Sequence, residues 1–360
     1  MSAETLNELT ARLLDPETPL ERDVLLPLVG KLQEFYGDLT GIRGEHKDGP
    51  SSKYLLPNGL ILPFQSAATC LLDPLRTIGY MRALEGAIHA VRAKFPDQPA
   101  HVLYAGTGPY APFAFAMCTR FSPAEVRFTL VEFHEECVQS LLKLTQTFGF
   151  SDHIPDIVQG DATSYNHEGD PFHICVVECM QKALTQECQV AITNNLAPQL
   201  HPEGYFIPDT VTLDACLAHP DQEFRPAPTP DFVPERVPLG ELFRLDRETY
   251  KKLPEQPGAE YTIACPDIQL PDPYPASFNV TLFTRIRLFE DIVLNDFQSG
   301  LTVPYMLFHL DELRQVKTLK SEFRVCRYPG LYFQKVIENQ KYDPFHKELV
   351  YPAHGVATGM

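Results

Sequence analysis

The chain of 360 residues contains no tryptophan, so no loop of it is built on an indole. Basic residues are scarce beside acidic ones: 30 lysines and arginines stand against 47 aspartates and glutamates, a formal net charge of −17. A surface of that sign is repelled by the phosphates of DNA, RNA and anionic membranes, so neither nucleic acid nor a membrane is expected as a partner. A cationic small molecule or peptide suits the charge better. No apolar run approaches the roughly 20 residues needed to cross a bilayer. The N-terminal MSAETLNELTARLL has early acids and no basic segment before an apolar core, so a secretory signal is not expected. No CxxC occurs among the nine cysteines, and no histidine stands at zinc-ligand spacing from the close trio Cys175, Cys179 and Cys188. Thiols in odd number, scattered through apolar stretches, read as reduced and buried in a cytoplasmic protein without a metal site.

What is present is an ordinary globular composition, 44% hydrophobic and 21% charged, with chain enough for two domains. LNELTARLL and ERDVLLPLVGKLQEFYGDLTGI space their leucines as amphipathic helices do, and GEHKDGPSSK is a polar, turn-rich break. Ala67 to Phe95 reads as helix with a boundary at Pro74 and an apolar stripe of Leu75, Ile78, Met81, Leu84, Ile88 and Val91. From residue 101 strands and helices alternate. HVLYAG, VRFTLVEF, IPDIVQGD and FHICVVE are expected strands, which predicts a parallel sheet covered on both faces. QKALTQECQVAITNNLAPQL reads as one long helix. Residues 219–275 are rich in proline, which disfavours long helices and central strands. SFNVTLFTRIRLFEDIVL, SEFRVCRYPGLYFQKVIE and KELVYPAH read as β, so an antiparallel C-terminal part is expected.

The stretch HVLYAGTGPY carries the chemistry. A Gly-x-Gly turn between strand and helix, here Gly106 and Gly108, lets backbone approach a ligand closely. Glu132, ending the second strand, is placed to accept hydrogen bonds from ribose hydroxyls. A dinucleotide needs amides around its pyrophosphate. Pro109 lacks an N–H and Tyr110 is bulky, so S-adenosylmethionine (SAM), which has no phosphate, is the better reading, and a nicotinamide-dependent oxidoreductase the poorer. In the GDA following the third strand, Asp161 beside Ala162 is placed to bond the adenine amine, or else simply caps its loop. Glu178 ends the fourth strand, and Glu187 follows nine residues later. Within a helix Glu187 would be exposed. If the chain instead turns back after Met180, both carboxylates face one pocket and can hold a guanidinium or an amine.

These residues resemble the protein arginine N-methyltransferases. LLDPLRTIGY is similar to that family's pre-sheet helix, which implies that Arg76 contacts the SAM carboxylate. YAGTGPY resembles its glycine motif, VECMQKALTQE its double-glutamate segment, and NLAPQLHPEGYFIP the continuation before its β-barrel. The resemblance covers roughly residues 67–216. It implies an α/β fold: a Rossmann-like class I methyltransferase sheet (96–216), an N-terminal helical cap (1–95) and an antiparallel, barrel-like β domain (217–360), in a homodimer. It also implies catalytic roles for Glu178 and Glu187 and cofactor contacts from Arg76, Gly106, Gly108, Glu132, Asp161 and Ala162. Three departures fall on the acceptor side. The family's Thr-His-Trp loop cannot be intact, and TVPYMLFHL with His309 takes its place. Gln181 stands where a glycine is expected. LPNGLILPFQSAA replaces a tyrosine-rich motif. The expected function is therefore SAM-dependent methylation of a nitrogen on a guanidino- or amine-bearing acceptor. The alternatives are cyclisation of SAM to azetidine-2-carboxylate with release of methylthioadenosine, and a non-catalytic partner with the same fold.

Overall fold

The structure is a computed structural model that describes residues 3–44, 54–224, 233–254, 259–273, 277–309, 313 and 315–337. The polar break after Gly44 and the expected strand KELVYPAH lie wholly or largely outside those residues. Two amphipathic helices come first, α1 (Ala3–Leu14) and α2 (Arg22–Thr40). A hairpin follows, β1 (Tyr54–Leu56) and β2 (Gly59–Ile61), in which Leu56 pairs with Gly59 across Pro57 and Asn58. Next are α3 (Phe64–Thr69) and the long α4 (Pro74–Lys94), which starts on Pro74, where a missing N–H costs nothing.

Alternation then sets in as expected: β3 (Ala100–Ala105), α5 (Pro112–Cys118), β4 (Val126–Glu132), α6 (Glu135–Phe148), β5 (Asp156–Gln159) and β6 (Phe172–Val177). After the shorter α7 (Gln189–Leu196) comes a fifth parallel strand, β7 (Leu200–Ile207), which the sequence did not announce. The order is β5-β4-β3-β6-β7. Connections leave β3 and β6 in opposite directions, so a crevice opens at their carboxyl ends.

The chain crosses at β8 (Thr210–Ala218) into antiparallel structure. β8 lies between β9 (Arg236–Leu245) and β12 (Asn279–Phe289), and β12 also carries β13 (Ile292–Leu294) and β14 (Tyr305–His309). β9 contains Pro238 and sits at the sheet edge, where a missing donor is tolerated. A second sheet is built on β15 (Val316–Val325), paired with β10 (Tyr261–Ala264), β11 (Ile268–Gln269) and β16 (Gly330–Ile337). Phe243 stacks on Phe323 at 4.3 Å between ring centres and Phe308 meets Phe333 edge-on, so the two sheets pack face to face. Among the described residues their hydrogen bonding closes no barrel, so the expected antiparallel C-terminal part is present as two packed sheets.

α4 joins the halves. Its stripe is buried from Ile78 to Val91, as are Arg76, Tyr80, Ala83 and Ala87 on other sides. Gly79 and Gly86 let β12 and β13 approach: a Cβ on Gly79 would lie 2.9 Å from Leu288. No helix among the described residues is long and apolar enough to cross a membrane.

Histidines gather at the amino end of the parallel sheet, away from the crevice. His101 donates its backbone N–H to His173 Nδ1 (3.0 Å), its ring packs 5.0 Å from that of His167, and Nε2 lies 2.9 Å from Thr129 Oγ1. Burial, then His167 and His173, lowers its pKa to about 4. The unfolded chain therefore binds the extra proton first, and this contribution to stability is present above pH 6.5 and lost as pH falls towards 4. Between pH 7 and pH 5, urea unfolding of the wild type should lose about 2 kcal/mol relative to His101→Gln, a comparison that cancels the other titrating groups. Parallel pH dependences would remove His101 from the balance.

Candidate active site

The crevice is a cavity of about 440 Å³, within the usual span of small-molecule sites, about 300–1,000 Å³. Every site residue expected from the sequence lines it: Arg76, Gly106, Gly108, Glu132, Asp161 and Ala162 with Glu178 and Glu187. The roof comes from the β1–β2 hairpin, which the sequence reading missed although Asn58–Gly59 between apolar pairs is a hairpin signal. His134 Nε2 holds the hairpin's exit through the Leu62 carbonyl at 2.7 Å.

Gly106 and Gly108 leave β3 with φ of +70° and +60°, the left-handed region that glycine enters without strain. A Cβ on Gly106 would collide with Cys179 Sγ. Gly108 N–H is donated to Glu132 Oε2 at 2.8 Å and His134 N–H to Oε1 at 3.0 Å. Glu132 is thus oriented, at 4% exposure, by the turn it faces. Tyr110 does not face the cavity's ligand side. It stacks on Tyr36 of α2 at 5.2 Å and donates to the Ile42 carbonyl, anchoring the N-terminal helices. Asp161 serves its loop, accepting from Thr163 N–H at 2.8 Å through Oδ1, and also lines the cavity. The neighbouring Ala162 carbonyl is held by Asn195 at 2.9 Å.

Arg76, 7% exposed, points from the first turn of α4 to the end of β6. Its Nη1 donates to Glu178 Oε1 at 3.2 Å, Nη2 to the Cys70 carbonyl, and Nε lies 3.9 Å from Asp73. Asp73 in turn accepts from Ser299 Oγ (2.6 Å) and Gly300 N–H (2.9 Å), tying α4 to the antiparallel part at the cavity wall. The sequence reading set the counterpart of the Thr-His-Trp loop at Thr302–Leu310, just after this contact. His309 is instead exposed at the end of β14 and does not line the cavity.

The segment after Glu178 is not the long helix its composition favours. Ala183, Leu184 and Gln186 all have positive φ, and regular helix begins only at Gln189. Such residues cost of order 1 kcal/mol each and persist only where surroundings fix them. Here the fixings are Ala183 N–H to Thr284 Oγ1 of β12 (2.9 Å), Gln186 N–H to the Pro329 carbonyl (3.0 Å) and Leu60 N–H of the hairpin to the Gln186 carbonyl (2.7 Å). Buried Gln189 accepts from Cys179 N–H at 2.9 Å. The chain turns back, and Glu187 faces the same cavity as Glu178 at 8% exposure rather than lying on a solvent face.

Both carboxyls hold protons more tightly than usual. Burial raises Glu178 to about 7 against the opposing pull of Arg76. Burial, then the charge of Glu178, raises Glu187 to about 8, opposed by a hydrogen bond from Gln181 Nε2 at 2.6 Å. Five carboxyl groups (Asp73, Glu132, Asp161, Glu178 and Glu187) line the cavity against one guanidinium, Arg76, which is already engaged. Gly108 N–H is spent on Glu132, and Pro109 has none, so this turn is a poor pyrophosphate cradle. A nucleoside carrying a cationic centre matches both features. Among the described residues no group of three or more His, Cys, Asp or Glu side chains is placed to hold a metal.

No family model matches the chain, and no curated protein matches it. Among solved structures it is similar to the Trypanosoma brucei PRMT1 enzyme-prozyme heterotetrameric complex with AdoHcy. The identity is 14% and the TM-score 0.47, over 77% of this chain and 95% of that one.

Proposed function

We propose that the protein is a SAM-dependent transferase that methylates a nitrogen of an amine- or guanidino-bearing acceptor. The observation that carries this reading is the one cavity in which a glycine turn, a buried carboxylate held by that turn and an excess of acidic groups converge. Glu132 and Asp161 would hold the nucleoside, Gly106 and Gly108 would admit it, and the carboxylate-rich wall would favour its positive charge. When bound, SAM supplies a methyl group activated by its sulfonium: the C–S bond breaks as the acceptor nitrogen bonds to carbon, and sulfur keeps the electron pair. The protein's own work is orientation and proton handling. Glu178 and Glu187 align the acceptor and take the proton displaced from its nitrogen, for which carboxyls titrating near neutrality are suited.

A second reading is favoured by one feature: each of the two glutamates is already partnered by a group of the chain, Arg76 or Gln181. Acceptor chemistry would then be supplied within SAM itself, its α-amine displacing methylthioadenosine to leave azetidine-2-carboxylate.

Calorimetric titration with SAM is expected to show binding, weakened about tenfold or more in Glu132→Ala through loss of charge-assisted hydrogen bonds. No binding by the wild type would end both readings. Incubation with SAM alone separates them. Methylthioadenosine supports cyclisation, whereas S-adenosylhomocysteine formed only with an added acceptor supports methyl transfer.

A further inference from the structure

A side-chain amide occupies part of the acceptor machinery. Gln181 follows Met180 in extended backbone (φ −106°, ψ 169°), and its Nε2 donates to Glu187 Oε1 at 2.6 Å. Arg76 engages Glu178 Oε1 at 3.2 Å. Each glutamate therefore has one oxygen held by the chain itself, and among the described residues neither Oε2 has a hydrogen-bond partner. A guanidinium binds a carboxylate best through two parallel bonds to both oxygens of one group. On each glutamate one oxygen of that face is already engaged. What stands without a partner among the described residues is one oxygen from each of two carboxylates lining the same cavity. A single tetrahedral nitrogen bearing two N–H bonds can donate one to each oxygen.

Resting on the methyl-transfer reading, we infer that Gln181 determines specificity and that the acceptor is an amine nitrogen, not a guanidino group. The proton balance agrees. An alkylammonium titrates near 10.4 and a guanidinium above about 12.5, so the amine gives up its proton to a buried carboxyl far more readily. The proton passes from nitrogen to a glutamate, and the freed lone pair makes the bond to carbon while the C–S bond breaks as described above. Glu178 and Glu187, raised to about 7 and about 8 mainly by burial, take up and release such a proton near neutral pH.

The test presents the full-length protein with SAM and equal concentrations of butylamine and butylguanidine. Methylated products are resolved by mass spectrometry, and each probe is also titrated calorimetrically with S-adenosylhomocysteine present. The wild type should methylate and bind butylamine in preference. Gln181→Gly and Gln181→Ala free Glu187 Oε1, and should move the ratio towards butylguanidine by about tenfold, the worth of one recovered charge-assisted hydrogen bond. A wild type that prefers butylguanidine, or a ratio unmoved in both variants, overturns the inference. So does SAM binding with neither probe bound nor methylated. Failure of SAM itself to bind would instead overturn the transferase reading.

Discussion

Glu178→Gln should lower turnover by about 100- to 10,000-fold, the usual worth of a positioned acid–base group, while SAM affinity changes by only a few fold. Glutamine keeps the volume of the side chain and an oxygen for Arg76, whose Nη1 donates to Oε1 at 3.2 Å. Arg76 also keeps the Cys70 carbonyl and its place near Asp73, so the first turn of α4 retains its anchors. What is removed is the negative charge and the ability to accept a proton. Burial, opposed by Arg76, places the Glu178 carboxyl at about 7. The raised value means that the ionised form gains ground as pH rises through neutrality. The kcat/KM profile of the wild type should therefore climb near pH 7, and that limb should be absent from the residual activity of the variant. Single-turnover rates across pH 6–9 check this, with a thermal melt to separate a chemical loss from an unfolded sample. Turnover that survives unchanged would remove Glu178 from the mechanism.

Such a prediction was reachable from the sequence for Glu178 and only half reachable for Glu187. Glu178 follows a strand, FHICVV, that is apolar but for His173 and whose six residues are all buried, so a parallel-sheet strand and its carboxyl end were legible from local pattern alone. The same holds for Gly106, Gly108 and Glu132, which follow or end β3 and β4. Glu187 depends on long-range contacts. KALTQECQVAITNNL has helical composition, and only Thr284, Pro329 and Leu60, distant in sequence, hold its first half out of a helix. Tertiary context overrode propensity there. β7 escaped notice for a related reason: LHPEGYFI contains a proline and a glycine, and only pairing with β6 identifies it as the fifth parallel strand. The contact from Ser299 and Gly300 to Asp73 spans more than 220 residues of chain, and no motif spacing discloses it. The cavity wall around Glu187 was hardest to read because the hairpin, β12 and the Pro329 turn together hold it.

Gly106→Ala should be the most disruptive single change at the glycine turn, and its cause can be divided. The residue sits at φ +70°, where an L side chain costs about 1–2 kcal/mol. Separately, the new methyl would collide with Cys179 Sγ, an overpacking that costs about 1–3 kcal/mol. Urea unfolding should thus show a loss of about 2–5 kcal/mol, with SAM affinity falling wherever the turn shifts to relieve the clash. The Cys179 Cβ would lie 3.9 Å from the new methyl, an ordinary contact, so Cys179→Ala should restore the overpacking share and leave the φ penalty. A double-mutant cycle is the measurement, and a coupling of about 1–3 kcal/mol is expected. Additivity within about 0.5 kcal/mol would show that the thiol does not set the limit. The coupling also has a functional meaning. Cys179 directly follows Glu178, so the atom that forbids a side chain at the glycine turn belongs to the residue next to that carboxylate. A shift of the turn against Cys179 should therefore be passed on to Glu178, because the two segments are in direct packing contact.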